Sequence, residues 1–290
     1  MSWFQIQVTV SERLKEPVMS RLFELGAEGV DESEEKLRVF FDERLRPAVT
    51  QEMKVFLGSL AEMHPALPPV SMEVTSVREE NWVEKYKECY VAQKLTPTFF
   101  LKPAWDSKTV VPDGMIPIIM EPGQAFGTGL HASTNLTLKL LEHTVELFAT
   151  LSSRKLLDVG TGTGILAIAA SKLGIGEVVA MDNDPIAMTT AEENARRNSC
   201  PSLQFQTGEL SGVSGGFDII LSNILLETHR LLATQYLRLL LPGGQLILSG
   251  LLASQRHELE ELMNTAGFAL DGTEGSQEWM AFIFKRCQGL

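Results

Sequence analysis

Hydrophobic and polar residues alternate along WFQIQVTV (3–10), the period of a half-buried strand. EPVMSRLFELGA (16–27) changes to helical spacing, with Pro17 suited to a first helical turn and Gly26 to an end. Strand candidates follow at 29–32 and 36–41, and a second helical pattern at 47–63 stops before Pro65. VSMEVTSV (70–77) then alternates again. The predicted order β-α-β-β-α-β is the ferredoxin-like arrangement, which serves many functions and names none. NWVEKYKECY (81–90) has the pattern of a short amphipathic helix, so residues 78–95 are expected to be a helical linker. Beyond it Pro97, Pro103, Pro112, Pro117 and Pro122 punctuate short strand candidates, a β-rich entry to a second domain.

From about residue 131 the rhythm is different. A helical pattern at 133–148 leads into strand 155–159, helix 164–173, strand 177–182, helix 185–198 and strands 203–207 and 217–222. Helix 227–240, strand 244–249, helix 254–266 and strands 268–273 and 279–285 complete the chain. Such alternation predicts an α/β fold with a doubly wound parallel sheet covered by helices on both faces. The expected organisation is a small α+β domain over 1–77, the linker, and an α/β domain over 96–290.

Composition narrows the function classes. Of 290 residues, 44% are hydrophobic and 21% charged, an ordinary globular balance. The formal net charge of −12 disfavours a general nucleic-acid binder and suits a basic protein partner. Cys89, Cys200 and Cys287 are too far apart for a zinc knuckle or a redox pair, which points to a reduced cytosolic setting. The polar N-terminus is not a signal peptide, and apolar runs fall short of the roughly 18 residues of a membrane span. With five dispersed histidines and no HExxH, no metal site is expected.

The chemistry gathers around LLDVGTGTGILAIAA (156–170). Gly160, Gly162 and Gly164 follow a strand and open a helix, where backbone N–H groups and the positive dipole end are expected to face a ligand. Ligands of doubly wound sheets bind beyond the C-terminal strand ends. The spacing G-x-G-x-G is not the dinucleotide fingerprint, whose last glycine is replaced by Ile165, nor a phosphate-binding loop. Asp182 lies 22 residues after Gly160 at the tip of the next strand, where a carboxylate can accept bonds from both hydroxyls of a ribose. A nucleoside with an amino-acid tail fits this pattern. The D-x-G-x-G-x-G turn with its strand-end acid resembles the S-adenosylmethionine-dependent methyltransferases, with the glycines leaving room for the methionine and ribose portions.

Three more stretches, EPGQAFGTGLHAST (121–134), FDIILSNILLE (217–227) and GGQLILSGLLASQ (243–255), together with ILAIAASKLG and EWMAFIFKR, narrow the likeness. They are similar to the ribosomal protein L-eleven methyltransferases. The resemblance implies a ferredoxin-like substrate-recognition domain, a linker, and a seven-stranded Rossmann-like methyltransferase domain. It implies S-adenosylmethionine as cofactor and a ribosomal protein, free or on the ribosome, as partner; the expected protein is a cytoplasmic monomer touching neither DNA nor membrane. Position by position, Thr134, Gly160, Asp182 and Asn223 match the cofactor site, and Gly162 and Gly164 belong to the same turn. Phe126 either packs over the cofactor or fills core, and is counted with the cofactor-binding residues. The chain departs from the family at Ala132-Ser133, at Thr161 and at Ser222, where an alanine is frequent.

Transfer from a sulfonium is an in-line displacement that demands position and a neutral nucleophile rather than an acid–base dyad. Asn223, after the fourth strand, is the catalytic candidate, its side-chain carbonyl accepting an N–H and aiming the amine lone pair. Ile224 and Leu225 stand where base-modifying enzymes often carry proline and an aromatic residue, which favours an aliphatic amine over a stacked base. His131, Trp82 and Trp279 are read as structural, Glu227 as a helix cap, and Asp158 and Asp184 as organisers of the two turns. The expected activity is protein-lysine N-methylation. The competing readings are a methyltransferase for another protein, an RNA base or a small amine, an NAD-dependent oxidoreductase, and a non-catalytic ribosome-associated protein.

Overall fold

The computed structural model describes residues 3–27, 29–32, 36–65, 67–68, 70–77, 90–121, 127–276 and 278–287. The chain divides into two compact units, 1–90 and 91–290. The expected helix at 81–90 lies outside the described residues except for Tyr90, and 93–94 is a short strand.

The first unit has the predicted order: β1 Trp3–Thr9, α1 Glu12–Glu24, β2 Gly29–Glu32, β3 Lys36–Asp42, α2 Arg46–Met63 and β4 Ser71–Val77. Its antiparallel sheet runs β2-β3-β1-β4, the ferredoxin-like arrangement. Alternation sets the core. Phe4, Ile6 and Val8 on β1 pair with Phe41, Val39 and Leu37 on β3, and all six are fully buried. Leu14, Val18 and Leu22 of α1 cover this face, with Val49, Met53, Leu57 and Leu60 of α2. The helix start is a correction: α1 begins at Glu12, so Pro17 lies inside it rather than in its first turn. Pro17 is exposed, while Leu14, Val18 and Leu22, at i, i+4 and i+8, carry one apolar stripe past it. Burial of that stripe outweighs the backbone bond the proline cannot donate.

The second unit opens with a three-stranded sheet, β5 Gln93–Lys94, β6 Phe99–Pro103 and β7 Ile116–Met120. Then follow α3 Ala132–Val145, β8 Lys155–Val159, α4 Ile165–Lys172, β9 Glu177–Asp182, α5 Pro185–Arg197, β10 Leu203–Thr207, β11 Phe217–Asn223, α6 Leu226–Leu239, β12 Leu240–Leu252, α7 Arg256–Thr265, β13 Phe268–Ser276 and β14 Trp279–Arg286. The seven strands lie in the order β10-β9-β8-β11-β12-β14-β13. Those from β10 to β12 pair in parallel, and β14 runs antiparallel to both its neighbours. Leu156, Leu157, Ile219, Ile220 and Leu221 are fully buried, since helices cover both faces and neither side of the strand meets water. Residues 165 to 170 of α4 are all buried, which explains a helix apolar all round and rich in alanine.

Two side-chain amides dock the small sheet onto α5. Asn198 accepts from Ile119 N–H at 2.8 Å through Oδ1 and donates to Ile119 C=O at 2.6 Å through Nδ2. Asn194 accepts from Glu121 N–H at 3.0 Å, and its Nδ2 lies within 3.2 Å of Glu121 C=O and 3.0 Å of Thr163 C=O. Both residues are buried, so their loss strands backbone groups away from water. Asn194→Ala should lower stability by about 2–3 kcal/mol, read from urea unfolding of the full chain. A loss within the error of the parent curve would contradict this docking role.

Candidate active site

Register builds the site. Val159 of β8 pairs with Met181 of β9 and with Ser222 of β11. The residues one step further, Gly160, Asp182 and Asn223, therefore end three adjacent strands in one row, about 10 Å long at ~4.8 Å per strand spacing. The chain leaves β8 towards β9 and β10 on one side and returns through β11 and β12 on the other, which opens a crevice at these ends. A cleft of about 850 Å³ occupies it, with Gly160, Gly162, Asp182 and Asn223 on its wall.

The glycine turn is closed on itself. Gly160 N–H and Thr161 N–H both donate to Met181 C=O at 2.9 Å. Gly162 N–H donates to Asp182 Oδ2 at 2.9 Å, and Gly164 N–H to Thr161 C=O at 2.9 Å. The expected supply of free N–H groups is corrected accordingly: a turn this tight returns these four donors to protein acceptors. All three glycines have positive φ, 74°, 54° and 84°, where an L side chain is strained. Not all of them clear space for a ligand, a second correction. A Cβ on Gly164 would lie 3.1 Å from Ala191 Cβ, so this glycine admits α5, and it does not line the cleft. A Cβ on Gly160 would meet Ile224 Cγ2 at 2.7 Å.

Asp182 is half-buried. Its Oδ2 holds Gly162 and its Oδ1 accepts from Asp184 N–H at 3.1 Å. A carboxylate oxygen has a second lone pair, so each can still accept from the cleft. Asp184 caps α5, accepting from Ile186 N–H at 2.8 Å, which agrees with its predicted organising role. Asp158 is fully buried beneath the turn and accepts from Thr161 Oγ1 at 2.7 Å and Ala167 N–H at 3.2 Å. Burial, helped by the charge of Asp182, pushes its carboxyl up to about 7.

Asn223 is 8% exposed. Its Nδ2 donates to Thr134 Oγ1 at 3.4 Å, and its Oδ1 is buried without a hydrogen-bond partner among the described residues. Thr134, on the first turn of α3, is fully buried and reaches the cleft through this amide rather than by lining it. His131 has the expected structural role as N-cap of α3, its Nδ1 accepting from Ser133 N–H at 3.3 Å, and it also lines the cleft. Trp279 stands edge-on to His131 at 4.4 Å and lines the cleft too. Glu227 lies in the first turn of α6 and pairs with Arg230. Phe126 and Trp82 lie outside the described residues.

Other wall residues were not anticipated. Gly208, Glu209 and Leu210 follow β10, and Thr228, Leu231, Leu232 and Gln235 come from α6. The first group had a signal: Thr207 pairs with Asp182, so the end of β10 extends the same row. The α6 group had a weaker one, since its apolar residues exceed one helical face and leave Leu231 75% exposed.

A doubly wound sheet of this order, with an acid and an amide flanking a glycine turn at the switch point, is the arrangement expected of a methyltransferase. The family model described as Ribosomal protein L11 methyltransferase (PrmA) matches residues 2–287. A ribosomal protein L11 methyltransferase from Pelobacter propionicus is 38% identical over 242 residues, 81% of this chain and 76% of its own. One from Syntrophotalea carbinolica is 33% identical over 308 residues, 97% of each chain. The crystal structure of ribosomal protein L11 methylase from Lactobacillus delbrueckii subsp. bulgaricus is similar with a TM-score of 0.63 and 34% identity, covering 69% of this chain and 100% of that one. The chain belongs to the ribosomal protein L11 methyltransferase family.

The Asp158 carboxyl gives the fold a pH signature. Its ordinary value is 3.8 and its folded value about 7. Between the two, the folded state keeps a proton that the unfolded state has released, so stability falls as pH rises, by at most ~1.4 kcal/mol per pH unit, and levels off above the folded value. Asp158→Asn keeps an oxygen for Thr161 and Ala167 but cannot ionise. Its stability relative to the parent should climb from pH 5 to pH 7 in urea titrations; a constant difference would mean that Asp158 does not titrate there.

Proposed function

We propose that the cleft holds S-adenosylmethionine and that the chain transfers its methyl group to amino groups of ribosomal protein L11, with Asn223 orienting the acceptor amine. The observation that carries this reading is the Oδ1 of Asn223, buried at the strand-end row with no partner among the described residues. A buried carbonyl oxygen without a donor costs about 1–3 kcal/mol, and an incoming N–H relieves that cost. Thr134 takes the NH₂ end of the same amide, which leaves the oxygen as the end that faces a donor.

The remaining wall residues suit the same molecule. Asp182 offers acceptor lone pairs for a diol, and its bonds to Gly162 and Asp184 hold it still before anything arrives. The bound cofactor would supply an electrophilic methyl on a sulfonium, so the protein need not protonate a leaving group. A lysine amine is cationic at pH 7, and neutralising it costs about 4.6 kcal/mol from a reference value near 10.4. Leu225, Leu231 and Trp279 on the wall offer an apolar surface that a docked substrate would cover, and that covering lowers the cost by taking the ammonium out of water. Asn223 is too weak a base to take the proton, which passes to solvent water before the amine attacks; its part is aim. The net charge of −12 draws a basic partner toward the enzyme, and we assign the ferredoxin-like unit to gripping it. The reaction is placed in the cytoplasm, in a monomer.

Incubating the chain with S-adenosylmethionine and L11 should add whole methyl groups to L11 by mass spectrometry; an unmodified L11 with the cofactor bound would overturn the reading. Asn223→Ala should lower kcat about a hundredfold while calorimetric affinity for the cofactor stays close to the parent's. Asp182→Ala should instead weaken cofactor affinity about tenfold or more. Equal loss of affinity and rate in both variants would contradict this division of labour.

A further inference from the structure

We propose that Ser222, Tyr236 and His229 form a buried positioning network that holds Asn223 in its working orientation. The inference rests on the role given to Asn223 above. The four contacts of the network run in sequence. Ser222 Oγ lies 3.1 Å from Val159 C=O, Tyr236 Oη 3.1 Å from Ser222 Oγ, His229 Nδ1 3.2 Å from Tyr236 Oη, and His229 Nε2 3.0 Å from Ser249 C=O. Ser222, Tyr236, His229 and Ser249 are all fully buried.

The places that this chain of contacts ties together are those that shape the cleft. Val159 precedes Gly160, Ser222 precedes Asn223, and Ser249 precedes Gly250. Ser249 C=O also accepts from Ile224 N–H at 3.1 Å, so the residues on both sides of Asn223 are held. Ser249 Oγ lies 3.2 Å from Ser133 C=O, next to the Thr134 that takes the Asn223 amide. His229 and Tyr236, two turns apart on α6, thus bolt that helix to three strand ends.

A count of hydrogens argues against a purely stabilising role. Both ends of the network are carbonyls, which only accept. A neutral imidazole brings one N–H and the two hydroxyls one hydrogen each, three hydrogens for four contacts. Burial holds the imidazole neutral, pushing its value down to about 4. Nε2–H serves Ser249 and the Ser222 hydroxyl serves Val159, which leaves the Tyr236 hydroxyl between two acceptors, Ser222 Oγ and His229 Nδ1. A partly satisfied buried network is a poorer source of stability than apolar packing. What it supplies is a fixed geometry at Ser222, one residue from the amide.

Tyr236→Phe keeps the ring and removes the bridging hydroxyl; Ser222→Ala removes the same bond from its other side. In the full-length chain without cofactor, the isotope-labelled side-chain amide of Asn223, assigned by its loss in Asn223→Ala, should give one sharp NMR signal pair. Each variant should broaden or double that pair. In methyl transfer each variant should lower kcat about tenfold, with KM for S-adenosylmethionine within about twofold, and the double variant should lose no more than the worse single. Amide signals unchanged in both variants would overturn the network, as would kinetic losses that multiply in the double variant or fall on KM alone. A parent chain that methylates nothing sinks the functional reading by itself, and the amide signals still decide the network.

Discussion

Parallel pairing of β9, β8 and β11 in step at their C-terminal ends decides where the central polar groups of the cleft lie. Because Val159 is level with both Met181 and Ser222, the next residue on each strand emerges at the same height. A slip of one residue on β9 or β11 would turn its side chains to the opposite face and bury Asp182 or Asn223 in the wrong layer. The slip is opposed by the apolar runs beneath, where Leu157, Ile220 and Leu246 pack into one core. The chemistry at the rim is therefore a by-product of packing a few ångströms below it.

This explains how far the residues alone could be read. Gly160 and Asp182 were legible because a glycine turn and a strand-end acid leave local marks, and parallel alternation implies that such ends align. Asn223 was legible by likeness and by its place after an apolar run. The donor status of the turn was not legible, because whether Gly162 N–H is free depends on Asp182, 20 residues away. Nor was the work of Gly164, whose missing side chain answers to Ala191 on a different helix. Pro17 shows the same limit: a local preference for a helix start lost to an apolar stripe that only tertiary burial rewards. Ser222 read as a minor departure from a family pattern, yet its hydroxyl contacts β8 and α6.

Around the cleft the protein manages charge by sorting it. Asp182 stays half-exposed at the wall, while Asp158 and His229 lie in the dry layer, each pushed by burial toward its neutral form. In the proposed reaction, an amine that must shed its charge thus meets amide, hydroxyl and leucine beside Asn223, with the carboxylates Asp182, Asp184 and Glu209 set to the β9–β10 side of the cleft. The low polarity that discourages an ammonium also strengthens the hydrogen bond an aimed amine makes to an amide oxygen.

The amides of Asn194 and Asn198 have a consequence for the molecule's outer boundary. Strand β7 ends its small sheet, and an exposed terminal strand is an invitation to pair with another chain. Asn198 meets Ile119 with one donor and one acceptor, as a neighbouring strand residue would, and Asn194 does the same for Glu121. A helix thereby impersonates the missing strand and closes that rim to self-association. On the opposite rim, β5 is two residues long, too short to template an aggregate.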